Sequence, residues 1–119
     1  MSYNMHGYNQ GASLVRDIIE SKSPDVIMLQ EHWLTPDNLS KYNADFIEYY
    51  PFGSSAMDYA VKSGPLYGRP YGGIVTLIKN DLMSAVDCVY ASDRFAIIRV
   101  GDIICIIVYF YAVDPKIEI

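Results

Sequence analysis

Apolar and polar positions change rhythm several times along the chain, and each rhythm predicts a different element. Ser2-Tyr3-Asn4-Met5-His6-Gly7 reads as a short strand that stops at a glycine turn. From Gly11 to Ser21 the spacing becomes helical: Leu14, Ile18 and Ile19 share one face, while Arg16, Asp17 and Glu20 lie largely away from it. Ser23-Pro24 ends that helix, because the residue before a proline is pushed out of helical backbone. Asp25-Val26-Ile27-Met28-Leu29-Gln30-Glu31 is then an apolar run with an abrupt polar end, the pattern of a central strand covered on both faces. Strand, helix, turn and buried strand make a βαβ unit. Two parallel strands are expected, with both carboxyl ends at one edge of the sheet. Asn4 and Glu31 would then lie close together.

Thr35-Pro36-Asp37 pairs an N-cap with a proline at the first helical position, which predicts a short helical turn over Asp37 to Tyr42. A strand is expected near Phe46 to Tyr50. Pro51 to Tyr71 mixes glycines, prolines and tyrosines without periodicity and reads as a long surface loop. Past Gly72-Gly73, four runs are strand-like: Ile74–Lys79, Val86–Tyr90, Phe95–Val100 and Ile103–Tyr109. Asn80-Asp81, Ser92-Asp93 and Gly101-Asp102 separate them, so all four are expected to form an antiparallel meander.

At 119 residues the chain is at most one domain. A 51% hydrophobic share against 19% charged residues excludes an intrinsically disordered chain. The net charge of −5, with basic residues scattered from Arg16 to Lys116, argues against a simple electrostatic grip on nucleic acid. It leaves open an enzyme whose metal ion meets the phosphate. Cys88 and Cys105 sit in apolar surroundings without metal-ligand spacing, so buried reduced thiols are expected. The N-terminus lacks a signal-peptide pattern, and the run from Ile103 to Val113 is shorter than the roughly 20 residues that span a bilayer. A soluble intracellular protein, nuclear or cytoplasmic and without a membrane partner, is the expectation.

Glu31 is the sharpest chemical candidate. It stands where a buried strand emerges, and ligands of open α/β sheets bind at the carboxyl ends of strands. Mg²⁺ takes hard oxygen ligands and commonly only one or two carboxylates, with water and substrate phosphate completing its shell. Glu31 can also simply solvate the strand end. Asn4 can bond Glu31 or orient a ligand from outside the inner shell; equally, it can close its strand into the turn before Gly7. His6 and His32 fall near the same edge and read as surface or turn residues before transition-metal ligands. Gly72-Gly73 lacks the GxxxxGK pattern and a following helix, so close backbone approach is the better reading than a phosphate loop. Arg69 can meet a phosphate or be a solvated arginine. Tyr109, ending the last apolar run, can face the same cleft or line the core. No Ser/His/Asp or Cys/His nucleophile set stands out.

Together these segments resemble the endonuclease/exonuclease/phosphatase superfamily over nearly the whole chain. Ser2-Tyr3-Asn4-Met5-His6-Gly7 is similar to the family's N-x-x-G strand, and Asp25 to Leu34 to its D-hydrophobic-L-Q-E strand with the metal-binding Glu. Tyr71-Gly72-Gly73-Ile74-Val75-Thr76-Leu77-Ile78 resembles its glycine-led strand; Ser92-Asp93-Arg94 and Ile103 to Tyr109 resemble the next two. The flavour is that of the endonuclease of non-LTR retrotransposons, similar to apurinic/apyrimidinic endonucleases. The resemblance implies an α+β fold, an incomplete four-layer α/β/β/α sandwich with a mixed sheet, truncated at the C-terminal side. It implies a phosphodiesterase acting on DNA with Mg²⁺ (or Mn²⁺), with Asn4 and Glu31 at the metal corner and Tyr109 aligned with an active-site tyrosine. His6 departs from the Asp or Asn of many relatives, and Phe110-Tyr111 departs from the apolar-Pro pair after the tyrosine. The later D-x-N pair and S-D-H motif have no counterpart before Ile119, which predicts little activity. A noncatalytic folding or interaction module is the other reading, since a half-sandwich exposes an apolar patch and self-associates.

Overall fold

The computed structural model describes residues 1–54, 72–92 and 94–108. Two sheets carry the fold. The first holds β1 (Ser2–Asn4), β2 (Val26–Gln30), β3 (Tyr49–Ser54) and β4 (Ile74–Lys79) in the order β1-β2-β4-β3. The second is a meander of β5 (Val86–Ala91), β6 (Phe95–Val100) and β7 (Ile103–Val108). Helix α1 (Tyr8–Lys22) crosses from β1 to β2, which run parallel with Asn4 opposite Gln30; the other sheet pairings are antiparallel.

The predicted four-strand meander is corrected. Asn80–Ala85 forms a 3₁₀ segment rather than a tight turn, and it carries the chain from β4 in the first sheet to β5 in the second. Both alternatives leave the same polar break in the sequence. β4 instead sits between β2 and β3, and from Ile74 to Ile78 it is buried throughout.

Helix α1 starts three residues earlier than its spacing predicts and buries a different stripe. Tyr8, Gly11, Val15 and Ile19 face the core, whereas Leu14 is 41% exposed. Those four positions recur at three- and four-residue intervals, as one helical face requires. Burial of a side chain such as Val15 or Ile19 contributes about 1.5–3 kcal/mol. The helix stops at Ser23, whose left-handed backbone (φ 45°) lets its N–H donate to Ile19 O at 2.9 Å.

The α1 stripe packs on Ile27, Leu29, Val75 and Leu77 of the first sheet, joined by Met5, Leu34, Tyr42, Phe46 and Tyr49. Across the first sheet, Ile74 and Met28 meet Ala96 and Ile107 of the second. The described layers are therefore helix, sheet, sheet.

Smaller corrections follow the same packing logic. The predicted turn over Asp37–Tyr42 divides into a 3₁₀ turn, Pro36–Asn38, and a short helix α2 (Lys41–Asp45). The strand expected at Phe46 begins instead at Tyr49, because Phe46 is drawn into the core at the end of α2, and that strand extends into the expected loop as far as Ser54. Cys105 is a half-buried free thiol; the Cys88 side chain lies outside the described residues. Among the described residues no helix is long and apolar enough to cross a membrane.

Candidate active site at the carboxyl edge of β1 and β2

Where β2 ends, residues 31–33 are held from both sides by backbone hydrogen bonds. Towards the β1–α1 turn, Gly7 N–H donates to Glu31 O and Tyr8 N–H to His32 O, each at 2.8 Å. In the other direction, Glu31 N–H donates to Gly73 O at 2.8 Å and Trp33 N–H to Gly72 O at 2.9 Å. Glu31 is thus bonded to both neighbours, its carbonyl to Gly7 and its N–H to Gly73. This clamp supports unusual backbone: His6 (φ 51°), Glu31 (φ 56°) and Trp33 (φ 61°) are all left-handed. For side-chain-bearing residues that conformation costs on the order of 1–2 kcal/mol each and persists only where surroundings fix it.

Left-handed Glu31 also breaks the alternation of β2. Ile27 and Leu29 point inwards, and a regular strand would send residue 31 the same way. Instead Glu31 is half-buried at the edge and His32 is fully buried. The expectation of a surface histidine at 32 is therefore corrected. Its Nδ1 accepts from Leu34 N–H at 2.9 Å and its ring stands edge-on to Tyr42 at 5.8 Å. Gly73 makes room for it: a Cβ at that position would lie 2.2 Å from the imidazole. At Gly73 the close-approach reading has its physical cause in His32, a residue the sequence patterning had left outside the core.

Asn4 and Glu31 come to the same edge, on adjacent parallel strands one register step apart. The Asn4 side chain is engaged locally, its Oδ1 accepting the His6 N–H at 3.0 Å. That bond closes the strand into its turn and leaves the amide oxygen a second lone pair. His6 is exposed, with its ring 5.0 Å from that of Trp33. Arg69 and Tyr109 lie outside the described residues.

Among the described residues no three His, Cys, Asp or Glu side chains cluster as a closed metal cage would require. One carboxylate with a neighbouring amide fits a weakly held hard cation that keeps most of its water. It does not fit a structural site closed by protein alone.

Beside this edge lies a network that sequence reasoning missed. Tyr8 donates to Asp45 Oδ2 at 2.5 Å, and burial, reinforced by Asp45, holds its phenol far above the ordinary tyrosine range. Arg16 pairs with Glu48 at 2.7 Å, also donates to the Asp45 carbonyl, and lies over the Phe46 ring. The guanidinium holds the Glu48 carboxyl below its usual value. The partners are about thirty residues apart, and only the docking of α1 against α2 and the turn after it reveals them.

A βαβ unit thus feeds a two-sheet α/β fold and presents a carboxylate where its second strand ends. Residues 1–115 match the Endonuclease/Exonuclease/phosphatase family, and the chain belongs to it. Among curated proteins no sequence matches. Solved structures share the fold: a 3′ phosphatase from Neisseria bound to product DNA hairpin has a TM-score of 0.66 at 16% identity, over 91% of this chain and 39% of that one. An AP endonuclease from Archaeoglobus fulgidus gives 0.65 at 16% identity, over 91% of this chain and 39% of that one. One from Leishmania major gives 0.61 at 17%, over 91% and 38%. The chain thus spans about two fifths of the length of these structures.

Proposed function

We propose that residues 1–119 form the N-terminal part of one metal-dependent phosphodiesterase domain, a DNA endonuclease of the retrotransposon type, with Glu31 as its metal carboxylate. The observation that carries this reading is the placement of Asn4 and Glu31 at one sheet edge, within a chain of the family. The DNA held by the Neisseria phosphatase supports the choice of substrate.

Glu31 offers the charged oxygens and is half-buried at the edge, beside the fully buried His32. Asn4 acts as a positioning residue, locking the β1 turn through His6 N–H. Bound Mg²⁺, or Mn²⁺, supplies charge neutralisation at the phosphate oxygens. Arg69 is assigned to phosphate binding and Tyr109 to the catalytic cleft. No residue from 1 to 119 is assigned to position the attacking water. A group of that kind contributes about 10²–10⁴ in rate, so the isolated chain is inactive or very weak. Titrating Mg²⁺ into the wild type and Glu31→Ala tests the assignment: the wild type responds, the variant does not, and identical responses refute it.

A second reading has its own observation. On the outer face of the second sheet Tyr90, Ile104, Ile106 and Val108 are exposed, so a noncatalytic module that associates through this sheet is the alternative. Concentration-dependent sedimentation that Ile104→Lys and Ile106→Lys together abolish supports it; a monomer at all concentrations removes it.

A further inference from the structure

Next to the β1–β2 edge lies a cavity of about 440 Å³ that neither Asn4 nor Glu31 lines. Its wall carries Asn9 and Gln10 from the start of α1, Asn38 and Lys41 from the segment after β2, and the aromatic residues Trp33 and Tyr8. Trp33 stands two residues beyond Glu31, so the cavity adjoins the carboxylate corner without sharing its ligands. The volume falls within the roughly 300–1,000 Å³ of small-molecule sites.

The lining chemistry narrows the occupant. Three amide side chains each present both donors and acceptors, the combination that matches a nucleobase edge better than a bare anion. Asn38 is braced for this role, its Nδ2 donating to Thr35 Oγ1 at 3.0 Å. An aromatic wall suits a base face, since base–aromatic stacking is tolerant of sequence. The one ammonium, Lys41, has its Nζ 5.8 Å from the Tyr8 ring centroid and matches a single phosphate. Double-stranded DNA cannot present a base this way; an unpaired nucleotide can.

We propose that this cavity is a subsite for one unpaired nucleotide, with its base against Trp33, its base edge on the Asn9, Gln10 and Asn38 amides, and its phosphate at Lys41. The inference rests on the nucleic-acid reading above and extends it to single-stranded or frayed substrate. With a single phosphate contact, affinity depends on salt with a logarithmic slope near −0.7.

Trp33 is the chain's only tryptophan, so intrinsic fluorescence reports on this wall directly. Deoxyadenosine 5′-monophosphate should quench it saturably, and deoxyribose 5-phosphate, which lacks the base, should not. Asn38→Ala and Lys41→Ala, both at exposed positions and checked for folding by circular dichroism, should each weaken binding about tenfold. Glu31→Ala should leave the nucleotide curve unchanged. Absence of saturable quenching, identical curves in both cavity variants, or equal quenching by the base-free phosphate overturns the subsite. Nucleotide binding without a Glu31-dependent Mg²⁺ response overturns the metal assignment alone, so the two failures are distinguishable.

Discussion

The two sheets are built from similar strands and end in different circumstances. β4 of the first sheet reads Ile-Val-Thr-Leu-Ile-Lys, and β7 of the second reads Ile-Ile-Cys-Ile-Ile-Val. Both are runs suited to cover on two faces. The first sheet has that cover, with α1 on one side and the second sheet on the other. In the second sheet only the middle of the inner face is buried among the described residues: Ala96, Ile98 and Ile107 are at most 3% exposed, whereas Ile104 on the outer face is 60% exposed. The difference lies in what is laid on the strands, not in the strands. It also explains where the candidate site can stand. Left-handed residues are affordable beside the doubly covered sheet, where backbone bonds to Gly7, Tyr8, Gly72 and Gly73 hold the segment from Glu31 to Trp33.

The largest expected effect breaks the covered sheet. Leu29→Ala should cost about 2–5 kcal/mol, while Ile104→Ala on the open face should change stability by no more than about 0.5 kcal/mol. Urea unfolding measures both, and equal losses would end the contrast. Next comes Gly73→Ala, which forces a side chain into left-handed backbone and against His32. A loss on the order of 2 kcal/mol is expected, and adding His32→Ala should recover the steric part in a double-mutant cycle. Non-additivity of zero would show that the ring is not the obstacle.

Tyr8→Phe should cost about 1 kcal/mol through the lost bond to Asp45. Because the folded phenol titrates above its unfolded value, its contribution is present below about pH 10 and lost as pH rises beyond that. The wild type should lose stability above pH 10 more steeply than Tyr8→Phe, and parallel alkaline profiles would contradict the assignment. The smallest effect belongs to Glu48→Gln. That pair is exposed and screened, so about 0.5 kcal/mol or less is expected. The folded Glu48 pKa is lowered, so this increment is present above the ordinary carboxylate range and disappears as pH falls through it. A salt titration of the unfolding midpoint checks it.

The parallel pair β1–β2 is legible in the chain because a helical period sits between two strand patterns and only one handed connection is available. The departure of β4 from the meander is not legible, since a polar break of two residues looks the same whether the chain reverses or moves to another sheet. His32 escapes notice for a related reason. Spacing of two from Leu29 points at Glu31, and only the left-handed turn there shifts the inward phase to His32 and Leu34. The buried sequence His32, Leu34 carries a trace of that shift. The Tyr8–Asp45 and Arg16–Glu48 contacts leave none, because they depend on how α1 meets α2 and the turn that follows it.

The left-handed backbone of His6 has one further consequence, for anyone wishing to make this protein hardier. Glycine at that position would relax the chain and raise thermal tolerance by an amount worth about 1 kcal/mol, with no new contact formed. It would also delete the imidazole resting near Trp33. A sturdier backbone and an intact ring contact therefore pull against each other at a single codon.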